Sequence, residues 1–244
     1  MNYITFLKAQ GKVDLQNVVR DPFLRYITLV PLLIGFLLRL FLPHAEVITR
    51  SYGLELSDYY SLIVGLLFVV MTPGMFGMVL GFLLLDERDY DTLRAMAVTP
   101  LSMGTYVYAR VILPMVISVI MTFVSATVAD LMVLPLLPLL LASICGALSI
   151  PLWALVFLAI ARDKVQGMVV MKGLNVFSII PIIAYFIEEP FQWIFGVVPL
   201  YWPYKILWMG LEGRDLFIPT IIGILLHIFF ILVLVKRFKQ SFGS

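Results

Sequence analysis

Residues 86–103 read DERDYDTLRAMAVTPLSM and form a compact, heavily charged stretch in a mostly apolar chain. Six of its first nine residues are charged, and long apolar runs lie on both sides. The acidic side chains come first, where they favour the positive end of a helix dipole, and Leu93, Met96 and Ala97 recur at helical spacing. Thr99 should end the helix, because a residue that precedes proline is pushed out of the α region. The pattern predicts a short amphipathic helix on a membrane surface.

The composition places the chain among polytopic membrane proteins. Of its 244 residues, 62% are hydrophobic and 13% are charged, and the mean hydropathy is +1.04, which is far from an ordinary soluble domain. The net charge of +2 gives no reason to expect nucleic acid as a partner. The single cysteine, Cys145, excludes an internal disulfide framework. Because the N-terminus lacks a basic region followed by an apolar core, we expect no cleaved signal peptide.

Six apolar runs are long enough to cross a bilayer, since roughly 20 helical residues span its hydrocarbon core. Backbone polar groups must be paired inside lipid, and the runs do not alternate, so helices are favoured over strands. The runs cover residues 23–42, 60–85, 107–129, 135–161, 168–187 and 217–235.

The distribution of basic residues predicts the orientation. With the N-terminus inside, 13 of the 17 Lys and Arg residues fall on the inner face. The other four, on the outer face, are Arg39, Arg50, Lys205 and Arg214. Cytoplasmic loops carry the excess of positive charge. We therefore predict an all-α membrane protein with six transmembrane helices and both termini in the cytoplasm.

Two further segments are too polar or too short to cross the membrane. Residues 1–22 carry a weakly apolar stripe and are predicted to form an interfacial helix, with a partly ordered cytosolic tail as the alternative. Residues 188–216 are rich in Trp and Tyr and are predicted to form short re-entrant or interfacial helices on the outer side, interrupted by Pro199 and Pro203. Amphipathic rings settle at the headgroup level, so this segment could cap a substrate route or simply anchor the chain.

The second apolar run carries a possible packing face and a possible pathway. Gly74, Gly77 and Gly81 let helix backbones approach closely, which favours packing over a ligand site. Methionines beside them could supply a soft wall to a pathway, or could face lipid or the core. The candidate pathway residues are Met71, Thr72, Met75, Met78 and Asn175.

Several chemistries are missing from the sequence. It contains no P-loop motif of the form GxxxxGK[ST], so the chain is not expected to cradle nucleotide phosphates in that way. His44 and His227 are far apart in the chain, which makes a metal site improbable. The middles of the runs hold no Asp, Glu or Lys, although ion- and proton-coupled carriers usually need such a group near the midplane. Energy for uphill transport would therefore come from another subunit.

The charged stretch resembles a known motif. Residues 87–102, ERDYDTLRAMAVTPLS, are similar to the loop between the second and third helices of type-2 ABC exporter permeases, which shows a pattern like ERExGTLxxLxVTPLS. Residues 17–22, NVVRDP, look like the family's entry to its first helix, and residues 199–203, PLYWP, are similar to its re-entrant region. One departure is Asp91, which stands where the family has glycine.

The resemblance implies a single transmembrane permease domain over residues 1–244, in which residues 86–103 form a coupling helix. This helix would dock on a separate ABC ATPase, and two such ATPases would serve a pair of permeases, either two copies or a copy and a paralogue. ATP and Mg²⁺ would bind to the ATPases, and this chain would bind no cofactor. The implied contact residues are Glu87, Arg88, Thr92, Leu93, Arg94, Met96, Val98, Thr99 and Pro100.

The resemblance also implies a location and a direction: a multi-pass protein of a bacterial or archaeal plasma membrane that moves cargo outward. The apolar, Met- and Phe-rich runs suit a hydrophobic or amphipathic cargo such as a drug, lipid or peptide. Two alternatives stay open at this point. One is a channel or carrier that uses no ATPase, and the other is a membrane scaffold that recruits a cytosolic partner through residues 86–103.

Overall fold

The computed structural model describes residues 3–89 and 103–242, with side chains described for residues 11–87 and 110–236. It is 86% helical, and the described residues contain no strand. The α-helices are α1 Tyr3–Arg20, α2 Pro22–Arg50, α3 Tyr60–Val64, α4 Met71–Asp89, α5 Met103–Ala129, α6 Leu136–Ala147, α7 Ser149–Ile160, α8 Lys164–Asn175, α9 Ile179–Tyr185, α10 Tyr201–Leu211 and α11 Phe217–Phe242. Short 3-10 helices cover Leu56–Tyr59, Val176–Ser178 and Phe191–Val197, and Gly65–Val70 is π-helical.

Six helical stretches of the described chain are long and apolar enough to cross a membrane, which confirms the predicted fold class. We number them spans 1 to 6: Pro22–Arg50, Leu56–Glu87, Arg110–Ala129, Leu136–Ile160, Lys164–Tyr185 and Phe217–Lys236. Span 1 is longer than predicted, because α2 continues through Pro43 to Arg50. Its last turn is held by an ion pair in which Arg50 donates to Glu46 at 2.8 Å.

Spans 2 and 4 form the centre of the bundle. Their most apolar windows are 67% and 61% buried, whereas those of the other four spans are 17–22% buried. A Cβ atom on Gly77 would lie 2.6 Å from Cβ of Trp153, and one on Gly81 would lie 2.8 Å from the ring of Phe157. Glycine at these positions lets the two backbones approach closely. The predicted packing face is therefore confirmed, and its partner is span 4 of the same chain.

Prolines interrupt the α-helical hydrogen bonding of spans 4 and 5. Proline lacks a backbone N–H and deprives the carbonyl four residues earlier of its helical partner. Pro151 acts in this way on Ala147, where α6 ends before α7 begins at Ser149. Pro181 acts on residue 177, within the 3-10 turn Val176–Ser178. The interruptions fall near the middle of each span.

Span 2 changes its helical winding just before Pro73. Pro73 leaves the carbonyl of Val69 without its usual donor, next to the π-helical turn Gly65–Val70. Thr122 of span 3 donates to the neighbouring carbonyl of Phe68 at 2.9 Å. Gly146 lies against this turn, where a Cβ atom would come 2.5 Å from the carbonyl oxygen of Val69. The irregular turn is therefore enclosed by spans 3 and 4.

Two short helices precede span 6, within the segment predicted to be re-entrant. The 3-10 helix Phe191–Val197 and α10 lie on either side of Pro199, so the predicted break at Pro199 is confirmed. Pro203 does not interrupt α10, which corrects the second predicted break. Proline fits there because the N–H groups of a first helical turn have no partner to lose. We call residues 188–214 the hairpin.

Most Trp and Tyr residues of the hairpin are buried inside the protein, whereas Phe191 is 67% exposed and Trp193 is half-buried. Tyr201, Trp202, Tyr204 and Trp208 are all buried. The indole N–H of Trp202 donates to the carbonyl of Gly196 at 2.9 Å and joins the two hairpin helices. The predicted orientation in the membrane, the re-entrant depth of the hairpin and the interfacial position of α1 stay predictions.

Candidate functional site

The predicted ATPase-contact segment begins where the description of side chains stops. Glu87 is the one predicted contact residue whose side chain is described, and Arg88 is known only as part of α4. The other predicted contacts lie outside the described residues: Thr92, Leu93, Arg94, Met96, Val98, Thr99 and Pro100. What the structure does describe is how the helices on either side of this segment are held.

Arg110, in α5, is buried together with two carboxylates. Its side chain is 1% exposed and pairs with Asp14 of α1 and with Glu87 of α4. A buried charge is tolerated when it is paired and hydrogen-bonded, and is costly otherwise. The pairs therefore join α1 to both helices that flank residues 90–102.

Lys164, at the start of span 5, makes a second ionic link at the same end of the bundle. Its ammonium nitrogen lies 3.3 Å from a carboxylate oxygen of Asp21 and 3.1 Å from one of Asp86. Burial raises the pKa of Asp21, but hydrogen bonds from the backbone of Leu24 and Phe23 and from Lys164 outweigh it and leave the pKa below its usual value. Asp21 therefore stays ionised near neutral pH and caps α2 at the same time.

Together these ion pairs connect five elements at one end of the bundle, which we call the Arg110 end: α1, span 1, the end of α4, the start of α5 and span 5. The residues that make the connections are Asp14, Asp21, Asp86, Glu87, Arg110 and Lys164. A force applied to residues 90–102 would reach α1, span 1 and span 5 through these pairs as well as along the chain. From the sequence, Arg110 and Lys164 are among the 13 basic residues predicted on the inner face, and neither is predicted to form these ion pairs. The signal available in the sequence was the position of each basic residue at the edge of an apolar run. Acidic residues in α1 and at the end of α4 were the possible partners.

The predicted pathway residues do not form one cavity wall. Thr72 and Met78 are buried, and the hydroxyl of Thr72 donates to the carbonyl of Leu67 at 3.2 Å within its own helix. Met71 and Met75 are half-buried, whereas Asn175 is exposed on span 5. None of the five lines either cavity described below. Their role in a pathway stays a prediction.

An apolar cavity of about 340 Å³ lies between spans 4, 5 and 6 and the turn of the hairpin. Its walls are formed by Trp153 and Val156 of span 4, by Phe177 of span 5 and by Phe230 of span 6, and residues 197–200 close it from the hairpin side. Ser149 also lines it. The cavity can take an apolar group of moderate size, since ligand pockets are typically about 300–1,000 Å³.

The base of the hairpin is held by a compact ionic cluster. Lys205 is 3% exposed and pairs with Glu189, and its ammonium also lies 2.5 Å from the side-chain oxygen of Gln192. Arg214 donates to both oxygens of Glu189, at 3.1 and 3.0 Å. Hydrogen bonds from Arg214 and Lys205 lower the pKa of Glu189 to about 2. Glu189 thus ties α10 and the end of the hairpin to its beginning.

A second cavity, of about 370 Å³, opens beside this cluster. It is lined by the hairpin base and by Ser61 and Tyr185, from the ends of spans 2 and 5. The hydroxyl of Tyr185 donates to the carbonyl of Asp58 at 2.6 Å, which fixes the ring at the mouth. The chain alternates direction with each span, so this cavity lies at the opposite end of the bundle from Arg110. The hairpin therefore borders an apolar cavity at its turn and a charged one at its base.

Residues that bind metals are sparse. No group of three or more His, Cys, Asp and Glu side chains that could hold an ion occurs in the described part of the chain. Cys145 of span 4 and His227 of span 6 do come together, with the sulfur 3.9 Å from Nδ1 of the ring. Nδ1 of His227 also lies 2.7 Å from the carbonyl of Gly223. Sequence spacing could not reveal this contact between residues 82 positions apart.

A bundle of six apolar helical spans in the described residues is that of a multi-pass membrane protein. Residues 14–235 match the model of the family described as "Fluoroquinolones export permease protein Rv2686c-like", and the chain belongs to this family. It is an ABC-type permease family, which confirms the resemblance found in the sequence.

Two relatives from Mycobacterium tuberculosis are similar over almost the whole length. They are the fluoroquinolones export permease protein MT2760 of strain CDC 1551 / Oshkosh and the fluoroquinolones export permease protein Rv2686c of strain ATCC 25618 / H37Rv. Each is 27% identical over 241 residues, which cover 96% of this chain and 94% of the relative. No solved structure matches the chain.

The family establishes the general activity and the location. The chain is a permease subunit of an exporter, and it is a multi-pass membrane protein, for which the bacterial plasma membrane fits the mycobacterial relatives. ABC-type exporters work with ATPase partners in general. The sequence-based prediction of an export permease is confirmed at this level.

Proposed function

We propose that this chain is the membrane-spanning part of an ATP-driven exporter that contains two ABC ATPase subunits and a second permease, either another copy or a paralogue. The observation that carries the proposal is the anchoring of both flanks of residues 90–102. Glu87 before the segment and Arg110 after it form one buried ion pair, so the segment leaves and re-enters the bundle at a fixed point. This anchoring is what a segment that transmits movement to the bundle requires, and a loosely tethered loop would not need it.

Residues 86–103 act as the coupling helix in this proposal. Leu93 and Met96 are its buried anchors in a groove of the ATPase, because apolar groups at the centre of an interface carry most of the binding energy. Charges that include Arg88 and Arg94 set register and partner choice. The contact also includes Thr92, Val98, Thr99 and Pro100. Glu87 contributes at the start of the segment, where its carboxylate also pairs with Arg110.

ATP and Mg²⁺ bind to the ATPase subunits, and the chain itself binds neither. When the two ATPases close on ATP, each moves one coupling helix. The Arg110 pairs pass this movement to α1, and the Lys164 pairs pass it to spans 1 and 5. The spans then shift between an inward-facing and an outward-facing arrangement, with the Arg110 end in the cytoplasm.

The cargo is a hydrophobic or amphipathic molecule, and an aromatic drug of the kind named in the relatives is the first candidate. The apolar cavity of about 340 Å³ next to the hairpin turn supports this cargo class. Met71, Thr72, Met75, Met78 and Asn175 remain the proposed lining of the route between two permeases. Asn175 supports this placement, because an exposed amide on a span is costly in lipid and is usually covered by protein or water.

Docking can be tested by replacing Leu93 and Met96 with Asp. We expect the double variant to insert in the membrane but to lose most of the co-purifying ATPase, since two charges cannot enter an apolar groove without a large desolvation cost. Val133→Asp is the control, because Val133 is 92% exposed between α5 and α6 at the opposite end of the bundle. Equal ATPase recovery with the double variant and with Val133→Asp would contradict docking and would leave an ATPase-free carrier or a scaffold.

A further inference from the structure

Ion pairing differs between the basic side chains at the two ends of the bundle. At the end opposite Arg110, every described Lys and Arg pairs with an acid: Arg39, Arg50, Lys205 and Arg214. At the Arg110 end, three basic side chains of α1 and of the first turn of α2 are exposed and have no ion pair among the described residues: Lys12, Arg20 and Arg25. The two acids of this segment are already bound, because Asp14 pairs with Arg110 and Asp21 pairs with Lys164.

We propose that residues 12–25 form a binding site for the headgroup of an anionic phospholipid in the adjacent membrane leaflet. The negatively charged headgroup contacts Lys12, Arg20 and Arg25, and the acyl chains lie along the exposed apolar sides of α1 and span 1. This inference goes beyond the proposed function and does not depend on it, because a headgroup site requires neither an ATPase nor a cargo.

α1 has three faces of different chemistry, since residues four positions apart lie on the same side of a helix. Asp14 and Val18 face the bundle, where Asp14 is 8% exposed and Val18 packs against the core. Leu15 and Val19 form an apolar face and are 64% and 55% exposed. The third face is polar and exposed: Lys12, Gln16 and Arg20. An exposed apolar face next to a basic one is the pattern of a helix that lies in the headgroup layer.

The start of span 1 carries the same combination of apolar and basic surface. Tyr26, Leu29 and Phe36 are 61%, 51% and 52% exposed on the outside of the bundle. Arg25 lies four residues before Leu29 and therefore on the same side of α2. A long basic side chain at the end of a membrane span extends to the headgroup level. The partner that offers a negative group at this level and apolar chains beside it is a phospholipid.

The basic groups are held in place before a lipid binds. Asp14 of α1 forms a buried ion pair with Arg110 of α5. A Cβ atom on Gly11 would lie 2.9 Å from a side-chain carbon of Leu113, so α1 also packs closely on α5. Asp21 caps the start of α2 and fixes the junction of the two helices. A site whose cations are already positioned loses less entropy when its ligand binds.

The charge of the segment distinguishes an anionic lipid from a zwitterionic one. Phosphatidylcholine carries a cationic group of its own, which needs a carboxylate, and both acids of this segment are in ion pairs. Phosphatidylglycerol carries only the negative phosphate. Basic residues on an amphipathic helix beside a membrane span attract such headgroups together. An acidic cytosolic protein would match the charge but not the exposed apolar face next to it.

The test measures lipid binding to the purified full-length permease in a neutral detergent by native mass spectrometry. The probes are dioleoyl-phosphatidylglycerol, which is anionic, and dioleoyl-phosphatidylcholine, which has the same chains. We expect the first molecule of phosphatidylglycerol to bind at least about tenfold more tightly than phosphatidylcholine. Glycerol 3-phosphate, which has a charged headgroup but no chains, should not displace it. Equal affinity for the two lipids, or displacement by glycerol 3-phosphate, would overturn the proposal.

Two double variants that remove the same charge locate the site. Arg20→Gln with Arg25→Gln should abolish the preference for phosphatidylglycerol, and Arg20→Lys with Arg25→Lys should keep most of it. Lys172→Gln with Lys236→Gln is the control, because these exposed residues of spans 5 and 6 also have no ion pair among the described residues. It should keep the full preference. Equal effects of the two Gln variants would mean that overall charge attracts the lipid, which would overturn the proposal.

The other possible occupant of this surface is the ATPase. If Arg20→Gln with Arg25→Gln kept the lipid preference but lost the co-purifying ATPase, the segment would be a protein contact and the lipid site would be refuted. The lipid measurement uses the permease without an ATPase, so its failure is distinguishable from a failure of the docking test.

Discussion

Arg110 is the residue on which the charged end of the bundle depends. It is 1% exposed and touches the carboxylates of Asp14 and Glu87, which come from positions far before it in the chain. By contrast, Arg39 pairs with Asp130 at 3.5 Å, and both of those side chains are more than half exposed. The same residue type therefore occurs in a buried and in an exposed ion pair in one molecule, which allows a matched comparison.

We predict that Arg110→Ala lowers the free energy of unfolding by about 3–5 kcal/mol, because it leaves buried carboxylates without their cation. Arg39→Ala should cost about 0–1 kcal/mol, as is usual for an exposed pair. Thermal unfolding of both variants in the same detergent measures the difference. Equal midpoints for the two variants would show that the Arg110 pairs do not hold the helices around residues 90–102.

Glu189 gives the hairpin a defined pH dependence. Its pKa is about 2 in the folded chain against an ordinary value of 4.5. A lowered pKa contributes stability that is present above the ordinary value and is lost as the pH falls from 4.5 towards 2. We predict that the thermal midpoint of the wild-type chain drops more steeply between pH 5 and pH 3 than that of Glu189→Gln.

Glu55→Gln is the control for this titration, since Glu55 is exposed and makes no contact with the hairpin cluster. It should keep the wild-type slope. If Glu189→Gln and the wild type lost stability in parallel over this pH range, Glu189 would not be the group that ties the hairpin together.

At the scale of single residues, the features that depend only on local covalent structure could be predicted from the sequence. The break at Pro199 and the glycine face on span 2 follow from the covalent structure of those residues, and both are found, whereas the predicted break at Pro203 is not. The pairs Arg110–Asp14 and Lys205–Glu189 could not be predicted, because they join residues 96 and 16 positions apart whose proximity depends on how the helices pack.

Among the elements, spans 2 and 4 pack closely against each other at glycine positions in the bundle centre. We predict that Gly77→Ala destabilises the protein by about 1–3 kcal/mol, the usual cost of overpacking, because its Cβ would lie 2.6 Å from Cβ of Trp153 and 3.1 Å from the carbonyl oxygen of Ile150. The thermal midpoint of the purified chain measures the effect.

Gly173→Ala provides the matched control. Among the described residues, no atom outside its own stretch of helix lies within 4 Å of the position that its Cβ would take, and alanine favours a helix by about 1 kcal/mol over glycine. This variant should therefore be as stable as the wild type or slightly more so. A Gly77→Ala variant with the same midpoint as Gly173→Ala would mean that spans 2 and 4 separate more easily than the structure indicates.

The hairpin shows where element-level prediction from sequence stops. Its Trp and Tyr residues are predicted to lie at the headgroup level, and the structure adds that Tyr201, Trp202, Tyr204 and Trp208 pack against the protein itself. Composition does not separate these outcomes, because a lipid-facing ring and a protein-facing ring are equally apolar. The presence of short helices and the break at Pro199 could be predicted from the sequence, but the direction in which the helices fold could not.

For the whole molecule, six spans could be predicted because the hydrocarbon thickness fixes the length of each apolar run. The arrangement of those spans could not, since every run is hydrophobic. The structure buries spans 2 and 4 and leaves large apolar side chains of spans 1, 5 and 6 exposed. Lipid or a second permease must cover those faces in the membrane.

The two ends of the molecule have different proposed roles. At the Arg110 end, buried ion pairs hold the flanks of the proposed coupling helix, and at the opposite end an ionic cluster holds a hairpin that borders two cavities. In the proposed exporter, force enters at the Arg110 end and cargo leaves at the opposite end. The central claim is that residues 86–103 lie in the cytoplasm and touch the ATPase.

Photo-crosslinking from position 93 in membranes that contain the active exporter tests this claim most directly. With a photoreactive residue in place of Leu93, we predict an adduct between the permease and a P-loop ATPase, and with the same residue in place of Val133 we predict none. An ATPase adduct from position 133 and not from position 93, or an exporting assembly that yields no ATPase adduct from position 93, would contradict the account.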